Sequence, residues 1–81
     1  MEVSIELFGR QRIVTQKDTL EIPITEKTKV SDVIEYIKRQ YPDLQLNEEK
    51  VLITVNQEIA PLDRILGAND TVSFIPFISG G

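Results

Sequence analysis

The chain contains no cysteine and no histidine among its 81 residues. Without cysteine there is no disulfide, no thiol nucleophile and no set of iron–sulfur ligands, which excludes ferredoxin-type proteins. Without histidine the chain lacks the commonest general base and metal ligand. It also has no phosphate-binding glycine-rich motif. We therefore expect no catalysis by the chain alone, no metal site and no cofactor bound by the chain alone.

Basic side chains are also scarce, with nine Lys and Arg against thirteen Asp and Glu, a formal charge of −4. An acidic chain without a basic stripe argues against nucleic acid and against an anionic membrane surface, and it favours a basic protein partner. The first residues lack the basic and apolar regions of a signal peptide, and no apolar run approaches the ~18 residues of a membrane span. We expect a cytoplasmic protein.

Alternation of apolar and polar residues predicts strands at residues 2–8, 20–24 and 71–77. The mostly apolar run 51–56 predicts an interior strand, and Asn56-Gln57 predicts a tight turn into a very short strand at Glu58-Ile59. The polar stretch 15–19 suggests a hairpin between the first two strands. Pro23 cannot donate a ladder hydrogen bond, so the second strand should lie at a sheet edge.

One helix is predicted, because five apolar residues recur at helical spacing: Val30, Val33, Ile34, Ile37 and Tyr41. Thr28 is the predicted N-cap, and Pro42 ends the helix. The length fits a single domain, 1–81. The fold class is α+β, a mixed sheet of four to five strands packed on one helix, with the first and last strands as the central pair.

Glycine is rare, yet two of the four glycines are Gly80 and Gly81. A residue without Cβ tolerates a wide range of backbone angles and lets another backbone approach closely, which suits a chain end that enters a narrow channel. Residues 78–81 are predicted to form a flexible C-terminal tail. The dipeptide by itself also fits an ordinary polar terminus.

The residues before this dipeptide make the pattern more specific. An apolar strand with Pro76, followed by Ile78-Ser79-Gly80-Gly81, resembles the MoaD family, the small subunit of molybdopterin synthase, and its ThiS relatives. Further matches are Leu7-Phe8, Gly9, Arg12, Tyr41-Pro42 and 55–58. Two features depart from the MoaD pattern: Phe77 replaces a second proline, and Asn69-Asp70 replaces a Gly-Asp turn. The resemblance implies a ubiquitin-like β-grasp fold.

The resemblance also implies a chemistry. A MoeB-like adenylating enzyme would supply ATP and activate the Gly81 carboxylate, which sulfur would convert to a thiocarboxylate. A MoaE-like large subunit, in a heterotetramer with this chain, would receive the sulfur for a pterin precursor. The chain would then be the small subunit of a sulfurtransferase, with Gly80 giving the tail access to its partners.

For docking, the resemblance implies an apolar patch near the tail. The candidate partner-binding residues are Phe8, Arg12, Ile59, Ile75, Phe77, Ile78 and Ser79. One helix can cover only one sheet face, so a large apolar patch on the other face would need a partner. The competing interpretation is that Phe8 and Ile75 lie in the core or merely cover the bare sheet face.

The sequence leaves three other functions open. The same tail would serve a protein modifier joined to lysines, or a sulfur carrier for thiamine or tRNA thiolation. A non-catalytic β-grasp interaction domain with an inert tail is the third. Neither the choice of molybdenum or tungsten nor the sulfur donor follows from the residues.

Overall fold

The computed structural model describes residues 1–44, 46–47 and 49–77. Its elements in chain order are β1 (Glu2–Glu6), α1 (Arg10–Thr15), β2 (Thr19–Pro23), α2 (Val30–Gln40), a 3-10 helix (Pro42–Leu44), β3 (Val51–Val55), β4 (Glu58–Ile59) and β5 (Thr71–Pro76). These described strands form one mixed sheet in the order β2-β1-β5-β3-β4. The predicted α+β architecture is confirmed.

The strand pairing follows the predicted arrangement. β1 pairs in parallel with β5 and antiparallel with β2, while β3 pairs antiparallel with both β5 and β4. β2 is an edge strand, as Pro23 predicted. The register explains why β2 tolerates a proline. The Ile24 N–H donates to the Met1 carbonyl, so the nitrogen of the neighbouring Pro23 points away from β1. No strand of the described sheet lies on that side, and the missing N–H therefore costs no hydrogen bond in the sheet.

The core lies between one sheet face and α2. The helix buries Val30, Val33, Ile34 and Ile37. The sheet residues facing them alternate along the strands and include Val3, Ile5, Leu20, Ile22, Ile53, Val55, Val72 and Phe74. This periodicity of two in the strands and of 3.6 in the helix is the signal that predicted both elements. Because α2 packs on this face of the sheet, it does not cover the opposite face.

Two local predictions were wrong. α2 is not the only helix, because α1 lies in the connection between β1 and β2, where a polar hairpin loop was expected. Thr28 is not the N-cap of α2, since that position is Lys29. The Thr28 hydroxyl instead accepts a hydrogen bond from the Thr25 N–H, and the Asp32 carboxylate accepts one from the Lys29 N–H.

The first amides of α2 are satisfied from a distant loop. Val30 N–H donates to the Arg64 carbonyl at 3.0 Å, and Ser31 N–H donates to the Leu62 carbonyl at 2.9 Å. A helix leaves its first N–H groups without partners inside the helix, so these loop carbonyls do what a capping side chain would otherwise do. The segment after β4 therefore fixes the start of the helix.

Candidate docking surface and carrier end

The sheet face that α2 does not cover is the open face. Its described strand residues are Glu2, Ser4, Glu6, Thr19, Glu21, Pro23, Leu52, Thr54, Ile59, Thr71, Ser73 and Ile75. The register places one residue of each strand in a row across it: Ile59, Thr54, Ser73, Glu6 and Thr19. The row runs from an apolar side at β4 to a polar side at β2. A docking partner would meet both.

The apolar side contains three of the predicted partner-binding residues. Ile59 is 74% exposed and Ile75 is 37% exposed, both on the open face. Phe77 follows β5 directly and is 56% exposed. None of them is in the core, so the interpretation of Ile75 as a core residue is wrong. Exposed apolar side chains that share one side of the sheet can form a binding surface.

Phe8 and Arg12 follow the carboxyl end of β1. Both line a hollow of about 370 Å³ whose other walls include Ser4, Glu6 and Thr71 of the open face. Phe8 is half-buried and does not belong to the core. The structure thus places Phe8 and Arg12 beside the open face, as an extension of the surface that carries Ile59 and Ile75.

The end of β5 is held on both sides. On one side Gln11 Nε2 donates to the Phe74 carbonyl at 2.7 Å, where β1 has already ended. On the other side Phe77 N–H donates to the Lys50 carbonyl at 3.2 Å, one residue beyond the β3–β5 ladder. Successive backbone nitrogens in a strand point to opposite sides. Because the Phe77 N–H points towards β3, the Pro76 nitrogen points to the side of β5 that β1 no longer covers. A proline there forfeits no ladder hydrogen bond.

The predicted carrier residues Gly80 and Gly81, and the tail residues Ile78 and Ser79, lie outside the described residues. Their roles stay predictions. The described part ends at Phe77, whose N–H is held by the ladder hydrogen bond to the Lys50 carbonyl. The open-face residue Ile75 and the exposed Phe77 lie immediately before the tail. A partner that grips this end of the open face would therefore be next to the tail.

The opposite end of β5 begins in a hydrogen-bonded turn. The Asp70 carboxylate accepts hydrogen bonds from the Gly67 N–H at 2.8 Å and from Asn56 Nδ2 at 2.9 Å. The bond from Gly67 lowers the pKa of Asp70 below its ordinary 3.8, with help from Asn56 and Arg64 and against the effect of partial burial. This carboxylate joins the two loops that precede β4 and β5. Its role is structural.

The sequence pattern singled out neither Gln11, which anchors β5 from below the surface, nor Glu6, which lies on the open face. Gln11 is buried on α1, and Glu6 lies at the middle of the open face. Nothing in an alternating strand marks Glu6 as more than a solvated side chain. Among the described residues no group of three or more Asp, Glu, His or Cys side chains is placed to hold a metal ion. In the same part of the chain no helix is long and apolar enough to cross a membrane.

Comparison with known proteins places the chain in a family. Residues 5–81 match the ThiS family. This chain belongs to the ThiS family. The match confirms the resemblance to MoaD and ThiS carriers seen in the sequence, and it extends through the tail with Gly80 and Gly81.

Two curated proteins match over nearly their whole length. The molybdopterin synthase sulfur carrier subunit of Mycobacterium tuberculosis is 33% identical over 82 residues, covering 100% of this chain and 99% of the relative. That of Dictyostelium discoideum is 32% identical, covering 99% and 96%. The chain is therefore similar to these carriers from end to end, not in one motif.

Solved structures of other proteins show the same fold. SAMP1 of Haloferax volcanii superposes with a TM-score of 0.85 at 20% identity, with all of both chains covered. A protein assigned as molybdopterin converting factor subunit 1 of Pyrococcus furiosus gives 0.84 at 28% identity, covering 96% of this chain and 99% of that one. In the Helicobacter pylori complex of molybdopterin-converting factor subunits 1 and 2, the matching chain gives 0.69 at 20% identity with full coverage of both chains. The β-grasp fold is confirmed.

Proposed function

We propose that this chain is the sulfur carrier subunit of molybdopterin synthase and that the Gly81 carboxylate is its working group. The observation that carries the proposal is the end-to-end similarity to two curated sulfur carrier subunits of this enzyme. The fold supports it, because the anchored end of β5 would present a glycine tail beside an exposed apolar surface. The chain would supply half of an active site.

The proposed chemistry accounts for the absence of catalytic side chains. A carboxylate resists nucleophilic attack because of its charge and because oxide is a poor leaving group. An adenylating, MoeB-like enzyme would bring ATP, whose α-phosphorus the Gly81 carboxylate attacks with release of pyrophosphate. A sulfur nucleophile would then displace AMP and leave a thiocarboxylate. ATP binds to the partner in this scheme, so the carrier needs no nucleotide site.

The proposed receiver of the sulfur is a MoaE-like large subunit. The Helicobacter pylori complex contains subunits 1 and 2 of its molybdopterin-converting factor, and a fold like this one forms part of it. In our proposal the open face, with Ile59, Ile75 and Phe77, docks on the large subunit and the tail carries the thiocarboxylate to the pterin precursor. A heterotetramer in the cytoplasm is the proposed assembly.

The test is reconstitution from purified components. The carrier is mixed with the adenylating enzyme and the large subunit encoded in the same genome, together with ATP, sulfide and the pterin precursor. We expect this mixture to produce molybdopterin. A matched carrier that lacks Gly80 and Gly81 should keep its unfolding midpoint and produce none. Molybdopterin production by the shortened carrier would contradict the proposal. Attachment of the whole chain to lysines of other proteins through its Gly81 carboxylate, with no molybdopterin produced, would support the modifier alternative instead.

A further inference from the structure

A polar hollow lies in the middle of the open face. It has a volume of about 340 Å³ and is lined by Glu6, Asn56, Gln57, Thr71 and Ser73. No apolar side chain and no basic side chain is among these lining residues. Glu6 and Ser73 are neighbours across the β1–β5 pair, so the carboxylate and the hydroxyl share one site.

The lining residues differ in how fully their polar atoms are used. Asn56 is engaged, since its Oδ1 accepts from the Thr71 N–H at 3.0 Å and its Nδ2 donates to Asp70. The Glu6 carboxylate and the Ser73 hydroxyl make no hydrogen bond or ion pair within residues 1–44, 46–47 and 49–77. Ser73 is only 7% exposed as a whole residue, yet no fully buried side-chain oxygen among the described residues lacks a partner, so the Ser73 hydroxyl keeps contact with solvent through the hollow.

From this arrangement we infer that the hollow receives an arginine side chain of the large-subunit partner, with Glu6 as its ion-pairing residue. The inference deepens the proposed function and depends on it. A guanidinium presents five donors in a planar fork, which suits a carboxylate beside hydroxyl and amide oxygens. The chain's charge of −4 favours a basic partner surface.

The hollow is continuous with the apolar side of the open face. Thr54 lies between Ser73 and Ile59 in the row across the sheet, so a partner seated on Ile59 also reaches Glu6. A metal ion is a poorer occupant, because the described residues provide no cluster of three acidic ligands there. The arginine would fix the register of the carrier on its partner, since the apolar contacts alone are not directional.

The test measures binding of the carrier to the large subunit encoded in the same genome. Glu6→Gln keeps the shape of the side chain and removes its charge, while Ser73→Ala removes the hydroxyl. We expect Glu6→Gln to weaken binding about tenfold or more, the usual cost of truncating one partner of a desolvated ion pair. The wild-type affinity should fall with added salt, and the affinity of Glu6→Gln should fall less steeply. Ser73→Ala should weaken binding several-fold.

Glu26→Gln is the matched control. Glu26 lies in the turn before α2, is exposed, and undergoes the same change in net charge. It should bind like wild type with the same salt dependence. Equal losses in Glu6→Gln and Glu26→Gln, or wild-type binding by Glu6→Gln, would overturn the inference and leave the proposed function in place. A wild-type carrier that does not bind the large subunit would overturn both.

Discussion

Gln11 and Phe74 are 63 residues apart, and the Gln11 side-chain amide donates to the Phe74 carbonyl at 2.7 Å. The same side chain accepts the Phe8 N–H through its Oε1 at 3.1 Å. One buried glutamine thus takes the place of β1 beside β5, after β1 has ended. It connects Phe8, at the edge of the open face, to the strand that leads into the tail.

Replacing Gln11 with Ala should destabilise the protein. The Phe74 carbonyl and the Phe8 N–H would lose their partner, and an unsatisfied buried group costs about 1–3 kcal/mol. Urea unfolding should show that loss of unfolding free energy. Gln40→Ala at the exposed end of α2 is the control and should change it by less than about 0.5 kcal/mol. Equal stabilities of the two variants would contradict the anchoring role of Gln11.

Asp70 predicts a pH dependence. Its pKa is lower in the folded protein than the ordinary 3.8, so the unfolded chain binds its proton more readily. The stabilisation is therefore present above about pH 4 and is lost as pH falls through the folded-state pKa. Asp70→Asn should cost about 1–2 kcal/mol at neutral pH, because Asp70 accepts two hydrogen bonds as a carboxylate.

The measurement is the free energy of unfolding from neutral pH down to about pH 2, below the ordinary carboxyl pKa. The wild type should lose stability faster than Asp70→Asn as the pH falls below about 4, and the gap between them should narrow. Asp63→Asn, in an exposed turn, is the matched control. A constant gap between wild type and Asp70→Asn across this range would show that the carboxylate is not the stabilising group.

Most of the fold could be predicted because it depends on short-range periodicity. Val3 and Ile5 alternate with polar residues, and Pro23 predicted the edge strand. α1 could not be found this way, because it is six residues long and the residues it buries, Gln11 and Thr15, are polar. Apolar residues at helical spacing are the signal that predicts a helix, and a helix whose buried residues are polar does not give that signal.

The candidate site was predictable to a different extent. Exposure of Ile59 and Phe77 follows from a sheet that α2 covers on one face only, which the sequence pattern already implied. The hollow beside Glu6 could not be predicted, because it depends on the register between β1 and β5. Register between strands that are distant in sequence is set by packing of the whole core. The same applies to the start of α2, whose amides bond to loop carbonyls more than thirty residues away.

The turn between β3 and β4 offers a stabilising substitution. Asn56 and Gln57 have φ of 52° and 70°, the left-handed region that a type I′ hairpin turn requires at both central positions. Gln57 pays a steric cost there that glycine avoids, so Gln57→Gly should stabilise the protein by about 0.5–1 kcal/mol. Thermal unfolding measures this gain. Gln40→Gly, in α2, should instead destabilise; a loss of stability in Gln57→Gly would contradict the positive φ.

Ile59 predicts a separation between stability and binding. Since its side chain is 74% exposed, Ile59→Ala should leave the unfolding midpoint nearly unchanged. Binding to the large subunit should weaken about tenfold, because the apolar contact at the partner is lost. Ile65→Ala, half-exposed near the start of α2 and away from the open face, is the control and should bind normally. Calorimetric titration of both variants would contradict the docking surface if Ile59→Ala bound as tightly as Ile65→Ala.

The central claim is that the carboxylate of Gly81 is activated and converted to a thiocarboxylate. The most direct test is the intact mass of the carrier after incubation with its genomic adenylating enzyme, ATP and a sulfide source. The account predicts a mass increase equal to the exchange of one oxygen for sulfur, located by fragmentation at Gly81 and dependent on ATP. An unchanged mass under conditions in which the adenylating enzyme is active, or a mature chain that continues beyond Gly81, would contradict it.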